Sequence, residues 1–412
     1  MRPAAEAVEG ELRRFLAEHR DELIAFACGL VATPSPNPPG DERAAAALVI
    51  DKLHELGVER IRTVGARAER PNVICEIGAG ARSVLLCGHL DTKPAGELQA
   101  WGFDPYAADV VDGELRGLGS GDMKGAVAAM VFALGALTAA GDLPGRVVLV
   151  LTADEEAGAA FGARWLAEHG ELDADAAVLG EPCGIVREWE AIDVVSRGAA
   201  LFKIHIRGTQ MHSSLSDRLP AVNATVQMAR LICRMDAELA GRLRYPAAPS
   251  PELTPTVNVG VTAQAGVFYG VYPGSAEFGC DIRTVPGMTR ESVEEDLLVF
   301  LEDAREAAPE LDAELAFEFW VPATEISASH PLVSALRDAS AEVLGAPVPV
   351  GVFPGATDAS HLQLGAGIPT VAAFGPGFLP RAHSPNETAS VSGIVEAAEI
   401  YALAARRYLE AA

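Results

Sequence analysis

Arg146-Val-Val-Leu-Val-Leu-Thr152 runs straight into Ala-Asp-Glu-Glu-Ala-Gly158, and the fold is read outward from this stretch. Val147 to Leu151 are aliphatic without a break, so the segment has no polar face. A strand of that kind is covered on both sides, as in parallel sheets flanked by helices. Three consecutive acids follow, at the strand end where open α/β sheets bind ligands. Asn72-Val-Ile-Cys-Glu-Ile77, Ser83-Val-Leu-Leu-Cys-Gly88 and Ala176 to Leu179 read as further strands. Between them, Glu42 to Leu56, Lys124 to Ala139 and Phe161 to His169 carry helical patterns. Upstream, Glu11 to Val31 places Leu12, Phe15, Leu16, Leu23, Phe26 and Leu30 at helical spacing; Pro34, Pro36, Pro38 and Pro39 then stop the helix. The alternation predicts an α/β fold with a mostly parallel sheet.

Around Val194 the pattern changes. Leu201 to Arg207 alternates apolar and polar residues, as a strand with one buried face does. Ala221 to Ala240 reads as a helix, Thr256 to Ala263 and Gly274 to Arg283 as strands, Ser292 to Ala307 as a helix, and Ala313 to Trp320 as a strand. That β-α-β-β-α-β order predicts an α+β domain with helices on one face of an antiparallel sheet. His330 to Leu344, Pro369 to Phe374 and Gly393 to Glu410 return to the first pattern. The expected organisation is one domain over 1–193 and 322–412, with an inserted domain over 194–321. A chain of 412 residues is long enough for two cores.

The formal net charge of −25 disfavours nucleic acid and anionic membrane surfaces as partners. Six cysteines are scattered with no CxxC pair, which reads as buried thiols in a reducing compartment. No apolar run reaches the roughly 18 residues of a membrane span, and Met1 to Arg20 lacks the apolar centre of a signal peptide. A cytoplasmic protein is the expectation.

Five segments carry metal-ligand residue types. In Leu85-Leu-Cys-Gly-His-Leu-Asp91, a strand end puts His89 and Asp91 on one side. Asp91 is then expected to orient the ring by accepting its second N–H. Gly117-Leu-Gly-Ser-Gly-Asp-Met-Lys-Gly125 sets Asp122 at a helix mouth, where an N-cap is the plainer use. Asp154, Glu155 and Glu156 repel one another, so a positive group belongs beside them; a divalent ion is the strongest candidate, a solvated loop the alternative. Glu181, in Ala177-Val-Leu-Gly-Glu-Pro182, ends another strand. His383 lies in Pro380-Arg-Ala-His-Ser-Pro-Asn-Glu387.

In this order the five segments, with Trp101-Gly-Phe-Asp-Pro-Tyr106 between the first two, resemble one family. It is the co-catalytic zinc amidohydrolases and exopeptidases that include acetylornithine deacetylase, succinyl-diaminopimelate desuccinylase, aminoacylase and glutamate carboxypeptidase. The resemblance runs from about Asp21 to the C-terminus. It implies a zinc-exopeptidase-like domain with an inserted dimerisation and lid domain, and two divalent ions, zinc by expectation, with cobalt or manganese also acceptable to such ligands. His89, Asp122 and Glu181 are implied for one ion, and Asp122, Glu156 and His383 for the other. Glu155 is implied as the general base. His212, in Gly208-Thr-Gln-Met-His-Ser-Ser214, resembles a histidine that stabilises the oxyanion in the partner subunit of a homodimer. Arg283, in Asp281-Ile-Arg-Thr-Val-Pro286, resembles a substrate-carboxylate clamp, with an ordinary salt bridge as its alternative. Asn258 resembles a substrate contact more loosely, and Ala356 departs from the two glycines usual in its loop. His54, Met228 and Met235 read as structural, as does His361, which follows that loop but is not assigned to the site. The implied reaction is amide hydrolysis of an N-acyl amino acid or short peptide; a dipeptidase or glutamate-type carboxypeptidase is the rival enzyme, and an inactive binding protein the rival class.

Overall fold

The computed structural model describes residues 2–246 and 253–411. They form two compact units: Met1–Val195 with Glu325–Phe353 and Thr357–Ala412, and Ser196–Thr324 with Pro354–Ala356.

The first unit is built on a six-stranded sheet. Its strands include β1 (Arg60–Val64), β2 (Asn72–Gly78), β3 (Ser83–His89), β4 (Arg146–Thr152) and β5 (Ala176–Leu179). The spatial order is β1-β2-β4-β3-β5, with the short strand Thr370–Val371 at the far edge. β2 runs antiparallel to β1 and β4, and the other pairings are parallel. Every residue of β3 is buried, as the apolar run from Val84 to Cys87 requires of its centre. The register sets His89 opposite Thr152 and Cys87 opposite Leu179. Parallel pairing therefore releases three of the five motifs at one edge of the sheet.

Two local features add to the sequence reading. The segment Ser120–Ala140, with a mean hydropathy of 1.7, is long and apolar enough by composition to cross a membrane, and 83% of its most apolar stretch is buried in the protein. Its small residues let it pack closely against the helix Val391–Glu410, so its length marks a core helix. The N-terminal helical pattern is also split, into Arg2–Glu18 and Arg20–Val31. The break falls at His19, whose Nδ1 meets the Phe15 carbonyl at 2.8 Å while its ring stacks on Phe15. Apolar spacing continues across that break and does not encode it.

The second unit is a four-stranded antiparallel sheet made of β6 (Gly198–Arg207), β7 (Thr256–Ala265), β8 (Ser275–Thr284) and β9 (Asp312–Val321), in the order β7-β8-β6-β9. Phe202, Ile204 and Ile206 alternate with Lys203, His205 and Arg207, so one face is apolar and buried. Helices Ala224–Glu238 and Arg290–Ala307 bury Met228, Leu231, Met235, Leu297 and Phe300 within this unit. Thr289 and Ser292 close a capping box at the start of the second helix. The opposite face carries ion pairs, among them Lys203 with Glu277 and Glu318.

Candidate metal centre

At the end of β4 the chain turns on Asp154, whose φ of 64° lies in the left-handed region that Asp tolerates better than most residues. The turn sends Glu155 and Glu156 over the sheet edge into a single 3-10 turn. Across the edge, Gly119 has a φ of 80°, and a Cβ there would meet the Thr92 Cγ2 at 2.6 Å. Only glycine fits that bend. Beyond it, the buried carboxylate of Glu387 accepts from the backbone N–H of Gly121 (3.0 Å) and Asp122 (3.1 Å). The last motif thus grips the second by its backbone, and Asn386 Oδ1 likewise accepts from the Gly102 N–H at 2.6 Å.

Asp122 sits between two histidines. Its Oδ1 lies 3.0 Å from His89 Nε2, and its Oδ2 lies 3.2 Å from His383 Nε2. Glu181 Oε1 is 3.9 Å from His89 Nε2, and Glu156 is 3.0 Å from His383 Nε2. Ligand atoms of His89, Asp122 and Glu156 fall within 4.8 Å of one another, as do those of His89, Glu155 and Glu181. Glu155 therefore shares the neighbourhood of His89 and Glu181 as closely as the implied ligands do. His89 is 1% exposed and Asp122 6%, whereas the His383 side chain is 46% exposed.

This field calls for positive charge. Burial alone lowers an imidazole pKa, yet hydrogen bonds to Asp122 and Glu156 lift His383 to about 10, and Asp122 and Glu181 push His89 well above its usual range. Burial raises the Asp122 carboxyl, but the two histidines hold it below the ordinary carboxylate range. Burial first, then the charge of Glu181, drives the Glu155 carboxyl well up. A divalent cation fits these residues on chemistry and on spacing. Atoms about 2.1 Å from a common tetrahedral centre lie about 3.4 Å apart, and the separations of 3.0, 3.2 and 3.9 Å bracket that value.

Asp91 differs from its expected arrangement. The His89 Nδ1 pairs with the backbone carbonyl of Asp91 at 2.9 Å, while the carboxylate stands 3.6 Å away. That carboxylate accepts instead from the backbone N–H of Glu155 (3.2 Å) and Glu156 (3.1 Å). The turn brings those amides nearer than the ring, so the Asp91 carboxylate holds the acidic turn while the Asp91 carbonyl meets the imidazole.

The acid triplet has a second positive partner that the motifs do not reveal. Asp154 Oδ1 accepts from Arg70 Nη2 at 2.8 Å and from Asn37 Nδ2 at 2.9 Å. Asn37 also donates to Asp91 at 2.8 Å, and Arg70 Nε donates to Glu42 at 2.8 Å. This buried chain from Glu42 to Asp91 explains one of the three acids without a metal. Asp358, buried behind β4, accepts from Thr152 Oγ1 at 2.9 Å. The sequence signals for these residues are the proline-bounded loop around Asn37 and the Gly355-Ala-Thr-Asp-Ala359 loop that holds Asp358; Arg70 sits in a stretch with no periodicity.

Three of the remaining candidates, His212, Arg283 and Asn258, belong to the second unit. In the second unit, His212 is exposed, with Nδ1 2.8 Å from Ser214 Oγ. Arg283 Nη2 is engaged by Asp281 of its own strand at 2.8 Å, and Asn258 pairs across β7 and β8 with that same Asp281. Arg197 donates from Nη1 to Thr256 Oγ1 at 2.6 Å, and its buried Nε has no partner among the described residues. His361, in the first unit, has Arg164 and Glu168 as its charged neighbours, and burial lowers it to about 4.

Imidazoles and carboxylates converging at the carboxyl edge of a parallel sheet define a metal-dependent hydrolase site. The chain belongs to Peptidase family M20/M25/M40, which matches residues 85–407. It is 29% identical over 394 residues to succinyl-diaminopimelate desuccinylase of Parvibaculum lavamentivorans, covering 93% of this chain and 95% of that one. With the same-named protein of Methylobacterium radiotolerans the identity is 33% over 300 residues, covering 70% and 74%. Among solved structures, the di-peptidase Dug1p of Saccharomyces cerevisiae superposes with a TM-score of 0.77 at 16% identity, over 98% of this chain and 99% of that one. The chain is a metallohydrolase of amide or peptide bonds, and dependence on metal belongs to that chemistry.

Proposed function

We propose that the chain hydrolyses the amide bond of an N-acyl amino acid, releasing a carboxylate and an amine. The observation that carries this reading is Asp122, whose two oxygens face two different histidines. A carboxylate so placed suits a bridge, with His89 and Glu181 on one side and Glu156 and His383 on the other. Two divalent ions, zinc by preference, would be held there. When bound, they polarise a carbonyl and acidify the attacking water.

The protein's own groups do the rest. Glu155 takes the proton of the attacking water and returns it to the leaving nitrogen. Its raised pKa suits both halves of that exchange, because a carboxyl that holds a proton well also delivers it. Asp91 fixes the base by holding the amides of Glu155 and Glu156. His212 is assigned to the oxyanion across a homodimer, and Arg283 to the substrate carboxylate. For that role Arg283 would present a further guanidinium N–H to substrate beside the Nη2 that Asp281 holds. The second unit is assigned to dimerisation and closure, and the compartment to the cytoplasm.

The desuccinylase relatives favour an acyl group that itself carries a carboxylate. Steady-state assays of the metal-loaded protein on N-succinyl, N-acetyl and dipeptide substrates test this. The N-succinyl compounds are expected to give the highest kcat/KM; a preference for dipeptides would transfer the chain to the peptidase branch.

A further inference from the structure

Lys93 is the one lysine that meets the acidic cluster directly among the described residues, and no step above uses it. Its backbone N–H donates to Glu156 Oε1 at 3.2 Å, and its Nζ lies 3.2 Å from Glu156 Oε2 and also reaches the Glu156 carbonyl. The Glu156 side chain is 4% exposed and that of Lys93 36%. Both oxygens of Glu156 are therefore engaged by one residue, and a full positive charge stands against one implied ion position. Among the described residues, the other position, His89 with Glu181, has no ammonium or guanidinium as an ion-pair partner.

Cation affinity follows the charge carried by the ligand set. Counting Asp122 in both sets, each offers two carboxylates and a neutral imidazole. Lys93 cancels one carboxylate charge on the Glu156 side only. We infer that Lys93 makes the two positions unequal, so that the Asp122–Glu156–His383 position holds its ion more weakly and exchanges it with the surroundings. The inference rests on the two-ion reading above. Lys93 is a positioning residue here: it acts through Glu156 and is not assigned to substrate.

The test is a Co2+ titration of the full chain after chelator treatment, followed by visible absorption and calorimetry, with thermal melts run alongside. Two binding steps are expected in the unaltered protein, and His383→Ala should remove the weaker one. Lys93→Gln keeps a donor for the Glu156 carbonyl but drops the charge; it should tighten the weaker step by about tenfold or more, given the strength of a charge contact at a part-exposed site. Lys93→Arg keeps the charge and should leave the two steps apart. Two steps in the unaltered protein that Lys93→Gln leaves unchanged or weakens would overturn the role of Lys93 alone. A single step, or none, in the unaltered protein would overturn the two-ion reading itself and this inference with it.

Discussion

In the first unit His89, Asp122, Glu156 and Glu181 are 1%, 6%, 8% and 4% exposed, and their opposing charges come chiefly from titratable imidazoles. In the second unit Lys203, His205 and Arg207 pair with acids on the open face of the sheet, with side chains 33%, 43% and 61% exposed. Residue types overlap, but the physics does not. Water already solvates the exposed pairs, so their association adds little. Buried carboxylates have lost that solvation and must recover it from protons or cations. The contrast teaches that charge becomes chemistry where solvent is withdrawn and the cation is left exchangeable.

The sharpest way to break the comparison is Glu155→Gln. Turnover should fall by about 10²–10⁴-fold, the range for a lost general base, while metal content measured by elemental analysis stays unchanged. Retained turnover would remove Glu155 from the role. The next largest effect separates a permanent cation from an exchangeable one. Arg70 is buried against Glu42 and Asp154, so Arg70→Met should cost about 3–5 kcal/mol in denaturant unfolding, as breaking a buried ion pair does. A loss no larger than that of a surface substitution would mean the chain from Glu42 to Asp91 is not structural.

Asp193 supplies a buried carboxylate with no ion pair among the described residues. Burial, then the charge of Glu190, raises it from 3.8 to about 8. A carboxyl raised on folding favours the folded state below its unfolded value, and that contribution is lost as pH rises through the folded value. Asp193→Asn should therefore match the parent near pH 3.8 and exceed it in unfolding free energy near pH 8, by about 2 kcal/mol. Parallel pH profiles would contradict this. The smallest effect is expected on the open face: Lys203→Met should leave the melting temperature within error at physiological ionic strength, and a clear loss would erase the contrast.

What the sequence revealed follows the reach of each signal. The unbroken aliphatic run of β4 and the alternation of β6 are local, and both strands formed where their periods indicated. The ordered motifs made the metal-ligand types visible before any distance was known. The contacts of Arg70, Asn37 and Lys93 were invisible because their partners lie 84, 117 and 63 residues away, and only chain closure brings them together. The carbonyl that holds His89 was missed for a different reason: a backbone atom leaves no mark on residue identity. The buried length of Ser120–Ala140 depends likewise on what covers it, which composition does not state.

Elemental analysis of purified Asp122→Ala beside the parent chain tests the shared carboxylate most directly. Two ions per parent chain, with both lost or bound only weakly in the variant, is the predicted result. Two ions retained by the folded variant would show that this side chain joins nothing, and the site would need a different centre.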